Sequence, residues 1–102
     1  QELNITEKIP LYILATAGMR MLTYKQQMAI YQSIKDNLMQ SKEINKFEFK
    51  IAKTITGKRE GLYGWLDANY MLGNLKFSDT PTIGIIDMGG ASTQIAEWIR
   101  LG

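Results

Sequence analysis

The stretch Ile83-Gly84-Ile85-Ile86-Asp87-Met88-Gly89-Gly90-Ala91-Ser92-Thr93-Gln94 decides how the rest of the chain is read. Ile83 to Ile86 is a short apolar run of the kind that forms a strand buried on both faces, Asp87 to Gly90 reads as a tight turn, and Ser92 to Ile99 reads as a strand returning antiparallel. An acid at the exit of a buried strand, followed by two glycines and a run of small hydroxyl and amide residues, has three chemical capacities. Asp87 can hold a cation through its water shell, Gly89 and Gly90 leave N–H groups bare for phosphate oxygens, and Ser92 with Gln94 can orient a water molecule. The plainer reading is a hairpin in which Gly-Gly supplies positive φ and Asp87 caps the turn. On these residues alone both stand.

Working outward, Leu11 to Ala15 is a continuous apolar run after Pro10, a second candidate for a strand buried on both faces. Thr23 and Gln26 form a capping-box pattern, and Met28, Tyr31, Ile34 and Leu38 then mark one face of a helix ending near Gln40. Phe47, Phe49 and Ile51 alternate with Glu48 and Lys50, the period of a strand with one wet face. From about Lys58 to Leu72, apolar residues go nearly all round a helix, which predicts a mostly buried one, with Gly73 at its C-terminal cap. Asn74 to Thr82 has the composition of a connector. The order is β-α-β-α-β-β without internal repeats, an α/β pattern.

With 102 residues, 45% of them hydrophobic, the chain is one domain or part of one. It contains no Cys and no His, which excludes a thiol nucleophile, a disulfide, a Ser-His-Asp triad and a zinc-type nitrogen or sulfur site. Chemistry is left to carboxylates, hydroxyls, amides and backbone, a donor set that favours Mg²⁺ or Ca²⁺ over transition metals. Twelve Lys and Arg against ten Asp and Glu give a net charge of +2 with no basic block, so no nucleic-acid arm is written here. The apolar run around Leu11 to Met19 falls short of the roughly 18–20 residues that span a bilayer. Asn4-Ile5-Thr6 matches a glycosylation acceptor, a pattern too common to carry weight.

Two further turns carry candidate groups. Thr56-Gly57-Lys58-Arg59-Glu60-Gly61 is not a P-loop, since Ala52 and Arg59 occupy positions that need Gly and Ser or Thr. Glu60 falls in the first turn of the following helix, where the helix dipole stabilises a carboxylate and a general base could face a ligand; a plain favourable N-terminal acid is the alternative. Thr16, in Ala15-Thr16-Ala17-Gly18-Met19-Arg20, sits where a strand gives way to a helix, the place at which parallel sheets hold ligands, and packing alone would also account for it. The expectation is that Thr16, Glu60 and Asp87 lie at one end of one sheet and line one crevice. Lys25, Lys35, Asp36 and Lys42 read as a solvated helix face, and Trp65 and Trp98 as packing residues.

Three of these segments, in this order, resemble signature segments of the nucleoside triphosphate diphosphohydrolases, the apyrases. Ala15 to Arg20 is similar to the second signature, Thr56 to Trp65 with Asn69-Tyr70 to the third, and Asp87 to Gln94 to the fourth. The resemblance implies an actin-like, ribonuclease-H-like fold of two lobes, of which this chain would be a fragment. Residues 1–77 would form the latter part of the first lobe, and 78–102 a connector and the opening hairpin of the second. The first signature would lie upstream and the fifth downstream. The implied activity is hydrolysis of terminal phosphates of nucleoside tri- and diphosphates with Mg²⁺ or Ca²⁺, outside the cytoplasm. The implied roles are Glu60 as base on the attacking water, with Ser92 and Gln94 holding that water. Asp87, Thr16 and, through water, Glu60 would serve the metal, while Gly89, Gly90, Ala91 and Ser92 would take up phosphate oxygens. The chain departs from the family pattern at Glu97, where an aromatic residue is usual.

Two other classes share parts of this pattern. A sugar or acetate kinase of the actin-like superfamily would use a similar Asp-Gly-Gly turn but deliver phosphate to a substrate hydroxyl; Glu60 and the Ser92-Thr93-Gln94 run favour water as the nucleophile. A nucleotide-binding module without catalysis is the non-enzymatic alternative.

Overall fold

The computed structural model describes residues 7–42 and 46–99; the Asn4 acceptor pattern and the last three residues lie outside them. The elements are β1 (Ile9–Ala15), α1 (Ala17–Arg20), α2 (Tyr24–Gln40), β2 (Phe47–Thr54), α3 (Gly57–Met71), β3 (Ile85–Met88) and β4 (Thr93–Ala96). This is the expected order with one short added helix, α1. By contacts the chain divides into two units, residues 1–15 with 19–54, and residues 16–18 with 55–102.

In the first unit β1 and β2 pair in parallel through the crossover helix α2. The register shifts between Leu11 and Tyr12, so that Lys50 is the extra residue on β2. Thr23 and Gln26 close the expected capping box: Gln26 N–H donates to Thr23 Oγ1 at 3.2 Å, and Thr23 N–H to Gln26 Oε1 at 3.0 Å. Tyr31 is the buried residue of α2, and its hydroxyl is tied into a polar chain. Thr54 Oγ1 donates to Gln27 Oε1, which leaves Tyr31 as the donor to Thr54, while Gln27 Nε2 donates to Leu22 O at 2.9 Å. The chain thus fastens the end of β2 to the start of α2. β1 is not buried on both faces as its apolar run suggests: burial alternates along it, with Tyr12 59% and Leu14 42% exposed.

In the second unit Thr56 caps α3, its Oγ1 accepting from Arg59 N–H at 3.2 Å, and Gly73 takes a left-handed φ of 73° just past the helix. The expectation of a mostly buried α3 is corrected. Only Gly61, Trp65 and Asn69 are buried, one residue per turn, while Leu62, Leu66, Tyr70 and Met71 are exposed. A narrow stripe suffices because what packs on α3 is a small two-stranded hairpin, β3–β4, paired antiparallel. Trp98 stacks on Trp65 with ring centroids 6.3 Å apart.

Asn69 joins helix and hairpin. Its Nδ2 donates to Trp65 O (2.9 Å) and Ile83 O (3.1 Å), and its Oδ1 accepts from Ile83 N–H (2.9 Å) and Asn74 Nδ2 (3.1 Å). The hairpin strands are shorter than expected and not buried on both faces. Ile85, Asp87, Gln94 and Ala96 share one face by register, whereas Ile86, Met88 and Ile95 lie on the other and are 68%, 80% and 76% exposed. The expectation of a single sheet with all three turns at one end is also corrected, because β1–β2 and β3–β4 are separate two-stranded sheets.

Tyr31→Phe removes the donor to Thr54 and should lower stability by about 1 kcal/mol. A shift of the denaturant midpoint checks this; an unchanged midpoint would show that the polar chain adds nothing to the fold.

Candidate active site

Glu60 is half-buried in the first turn of α3, its N–H bonded to Thr56 O at 3.0 Å, so the carboxylate is carried where the helix dipole favours negative charge. One residue further, Gly61 lets β4 approach. A Cβ built there would stand 3.4 Å from Gln94 Cβ and 3.8 Å from Ala96 Cβ, and one built at Gly57 would stand 3.9 Å from Gln94 Nε2. Gln94 therefore lies against the helix turns that carry Glu60. The contact forms one wall of a crevice of about 370 Å³ lined by Gly57, Lys58, Gly61, Leu62 and β4.

Gln94 is buried, with 8% of its surface exposed, and its amide is oriented. Nε2 donates to Ser92 Oγ at 2.8 Å, and Oε1 is buried and accepts no hydrogen bond among the described residues. A buried acceptor without a donor costs roughly 1–3 kcal/mol, and such groups in native proteins call for an explanation. Asp87 stands directly opposite Gln94 in the β3–β4 ladder and on the same face, but it is exposed.

The Asp87-to-Ser92 turn joins a hairpin, as the plainer reading expects, but without the positive φ that reading gave its glycines. Gly89 N–H donates to Ser92 O at 2.9 Å, closing the turn, yet neither Gly89 nor Gly90 has positive φ. The glycines are therefore not there to supply a left-handed conformation. A Cβ at Gly89 would come 3.3 Å from Ser92 O, a tight contact, whereas at Gly90 no atom lies within 4 Å. Gly90 and Ala91 are exposed, and the backbone at the tip of the turn is bare.

The structure thus brings Ser92, Gln94 and the Glu60-bearing turn of α3 together, with Asp87 opposite Gln94 in the β3–β4 ladder. Thr16 is exposed and groups with residues 55–102. Among the described residues no three acidic side chains converge as a metal cage. The donors that remain are oxygen donors, the Asp87 and Glu60 carboxylates and the Thr16 hydroxyl, a set that fits a hard cation keeping most of its water shell and taking other ligands from phosphate oxygens. Sequence reasoning gave no structural role to Asn69. The available signal was an amide continuing the i, i+4, i+8 stripe of Gly61 and Trp65.

Residues 4–100 match the model of the GDA1/CD39 (nucleoside phosphatase) family, and the chain belongs to that family. It is 41% identical over 101 residues to ectonucleoside triphosphate diphosphohydrolase 7 of Mus musculus, covering 85% of this chain and 16% of the relative. It is 40% identical over 103 residues to the Golgi apyrase of Schizosaccharomyces pombe, covering 91% and 16%. To the nucleoside-diphosphatase mig-23 of Caenorhabditis briggsae it is 38% identical over 114 residues, covering 93% and 20%. The chain therefore spans between 16% and 20% of the length of these relatives.

Gly61→Val would force branched methyl groups into the contact with Gln94 and should lower stability by about 1–3 kcal/mol, as overpacking does, while Gly61→Ala should be tolerated. Thermal melts of the two variants decide it; equal melting temperatures would mean that β4 does not rest on Gly61.

Proposed function

We propose that this chain is part of a nucleoside tri- and diphosphate phosphohydrolase, an apyrase, in which it supplies the groups that activate water and grip the terminal phosphates. The observation that carries the proposal is the Ser92–Gln94 pair, hydrogen bonded to each other and seated against the helix turn that bears Glu60. Two polar side chains beside a carboxylate make a site for one water: Ser92 and Gln94 orient it, and Glu60 takes its proton. The water oxygen attacks the terminal phosphorus directly as the bond to the bridging oxygen breaks, releasing phosphate and the shortened nucleotide. The bare N–H groups of Gly90 and Ala91, with Ser92, take up phosphate oxygens on the turn that the Gly89 N–H closes, which explains a glycine at 90 that no neighbour or backbone angle requires. Asp87, with Thr16 and through water Glu60, would hold Mg²⁺ or Ca²⁺, whose charge offsets that of the phosphate chain when it is bound.

Phosphoryl transfer depends on positioning and on donors around the whole phosphate chain. We therefore place the activity in the complete protein, with residues 1–77 in the first lobe of an actin-like fold and 78–102 opening the second. The ecto-enzyme and Golgi names of the relatives support an extracytoplasmic, lumenal or extracellular setting.

In the complete protein, Glu60→Gln should lower kcat by roughly 10²–10⁴-fold with little change in KM, the size usual for loss of a general base. Asp87→Ala should instead raise the cation concentration needed for half-maximal rate. Phosphate release from ATP and ADP across a cation titration measures both, and near-normal turnover of the Glu60 variant would remove it as the base. The 102-residue chain alone should release no phosphate above background in the same assay.

A further inference from the structure

At the other end of the first unit a cleft of about 390 Å³ opens between the C-terminal half of α2 and the starts of β1 and β2. Leu11, Leu38 and Phe49 form an apolar floor, half-buried in each case. Lys8 and Lys35 line it as well, and the Lys35 ammonium is held 5.8 Å above the Phe49 ring, so its charge is retained over the floor. The acid on this cleft, Glu48, is neutralised by Lys50 at 2.7 Å; that hydrogen bond and the Glu48 charge raise the Lys50 pKa and keep its ammonium protonated. Among the described residues the cleft is thus lined by two further lysines, Lys8 and Lys35, beside its apolar floor, and the carboxylate on it, Glu48, is already paired. Its volume falls in the range of small-molecule sites, about 300–1,000 Å³.

We propose that this cleft binds a free amphipathic monoanion, an alkyl carboxylate, with the chain on Leu11, Leu38 and Phe49 and the carboxylate between Lys8 and Lys35. A small hydrophilic anion would leave the apolar floor wet, and a neutral alkyl compound would leave both ammonium groups without a counter-charge. A bilayer surface fits less well, because surface-lying elements present protruding apolar side chains whereas these are recessed. The proposal is independent of the phosphohydrolase reading, since none of these residues belongs to that site.

Isothermal titration of the complete protein with decanoate, below its micellar range, tests it. Saturable one-to-one binding is expected, at least tenfold weaker for decanol and undetectable for acetate. Lys8→Glu with Lys35→Glu should weaken decanoate binding at least tenfold, while Lys25→Glu, which makes a charge reversal of the same kind elsewhere on α2, should not. If circular dichroism shows the double charge reversal to be unfolded, the neutral pair Lys8→Gln and Lys35→Gln replaces it, with weakening still expected. Unchanged affinity in the folded variant would overturn the proposal. Binding to dioleoylphosphatidylglycerol vesicles with none to free decanoate would overturn it as well.

Discussion

The side chain of Asn69 is fully buried and uses both ends of its amide, donating to the carbonyls of Trp65 and Ile83 and accepting from the Ile83 N–H and the Asn74 amide. From Leu72 to Gly84 the chain forms no helix or strand, so no ladder holds it to α3. The two bonds to Ile83 do that work, two residues before β3 begins. Only an amide satisfies this arrangement. A carboxylate would set lone pairs against two carbonyl oxygens, and an aliphatic side chain would leave the Ile83 N–H and C=O without their partner.

The seating of the hairpin, and with it the proposed site, follows from that anchorage. With Ile83 fixed, β3 runs along α3 closely enough that a Cβ on Gly64 would stand 3.0 Å from Ile85 Cδ1, and β4 meets Gly61 through Gln94 and Ala96. The buried stripe of α3, Gly61, Trp65 and Asn69, with half-buried Gly64 beside it, thus reads as clearance at two glycines, one indole and one amide, and each turn of the helix has a distinct task. The helix start bears Glu60, its middle admits the hairpin, and Asn69 holds the hairpin's root. The catalytic assignment depends on this order, because Ser92 and Gln94 reach the Glu60 turn only if the hairpin is seated in one register.

Local rules recovered what local forces decide. The Thr23–Gln26 box, the Gly73 cap, the helix α2 and the alternation of β2 from Phe47 to Lys50 were legible, since each depends on neighbours within a few residues, whereas Ile51, expected on the covered face, is exposed past the extra residue Lys50. Burial was not. The apolar runs of β1 and β3 suggested strands covered on both faces, and the apolar girth of α3 suggested a buried helix, yet Tyr12, Ile86 and Tyr70 are exposed. Composition reports which side chains are fit to be covered, while coverage depends on how much structure surrounds them, and two two-stranded sheets supply little. The three segments of the proposed site were legible separately, through their order and their likeness to family signatures. The contact of Gln94 with Gly61 was not, because it spans thirty-three positions and depends on an amide whose geometry no periodicity reveals.

Amide hydrogen exchange of Asn69→Asp against the unaltered protein tests the anchorage most directly, with the β1–β2 ladder as internal reference. The account predicts that the Ile83 amide and the amides of 85–96 exchange at least tenfold faster in the variant, while those of β1 and β2 keep their rates. Unchanged protection at Ile83 would contradict it, since the hairpin would then be held to α3 by something other than the Asn69 amide.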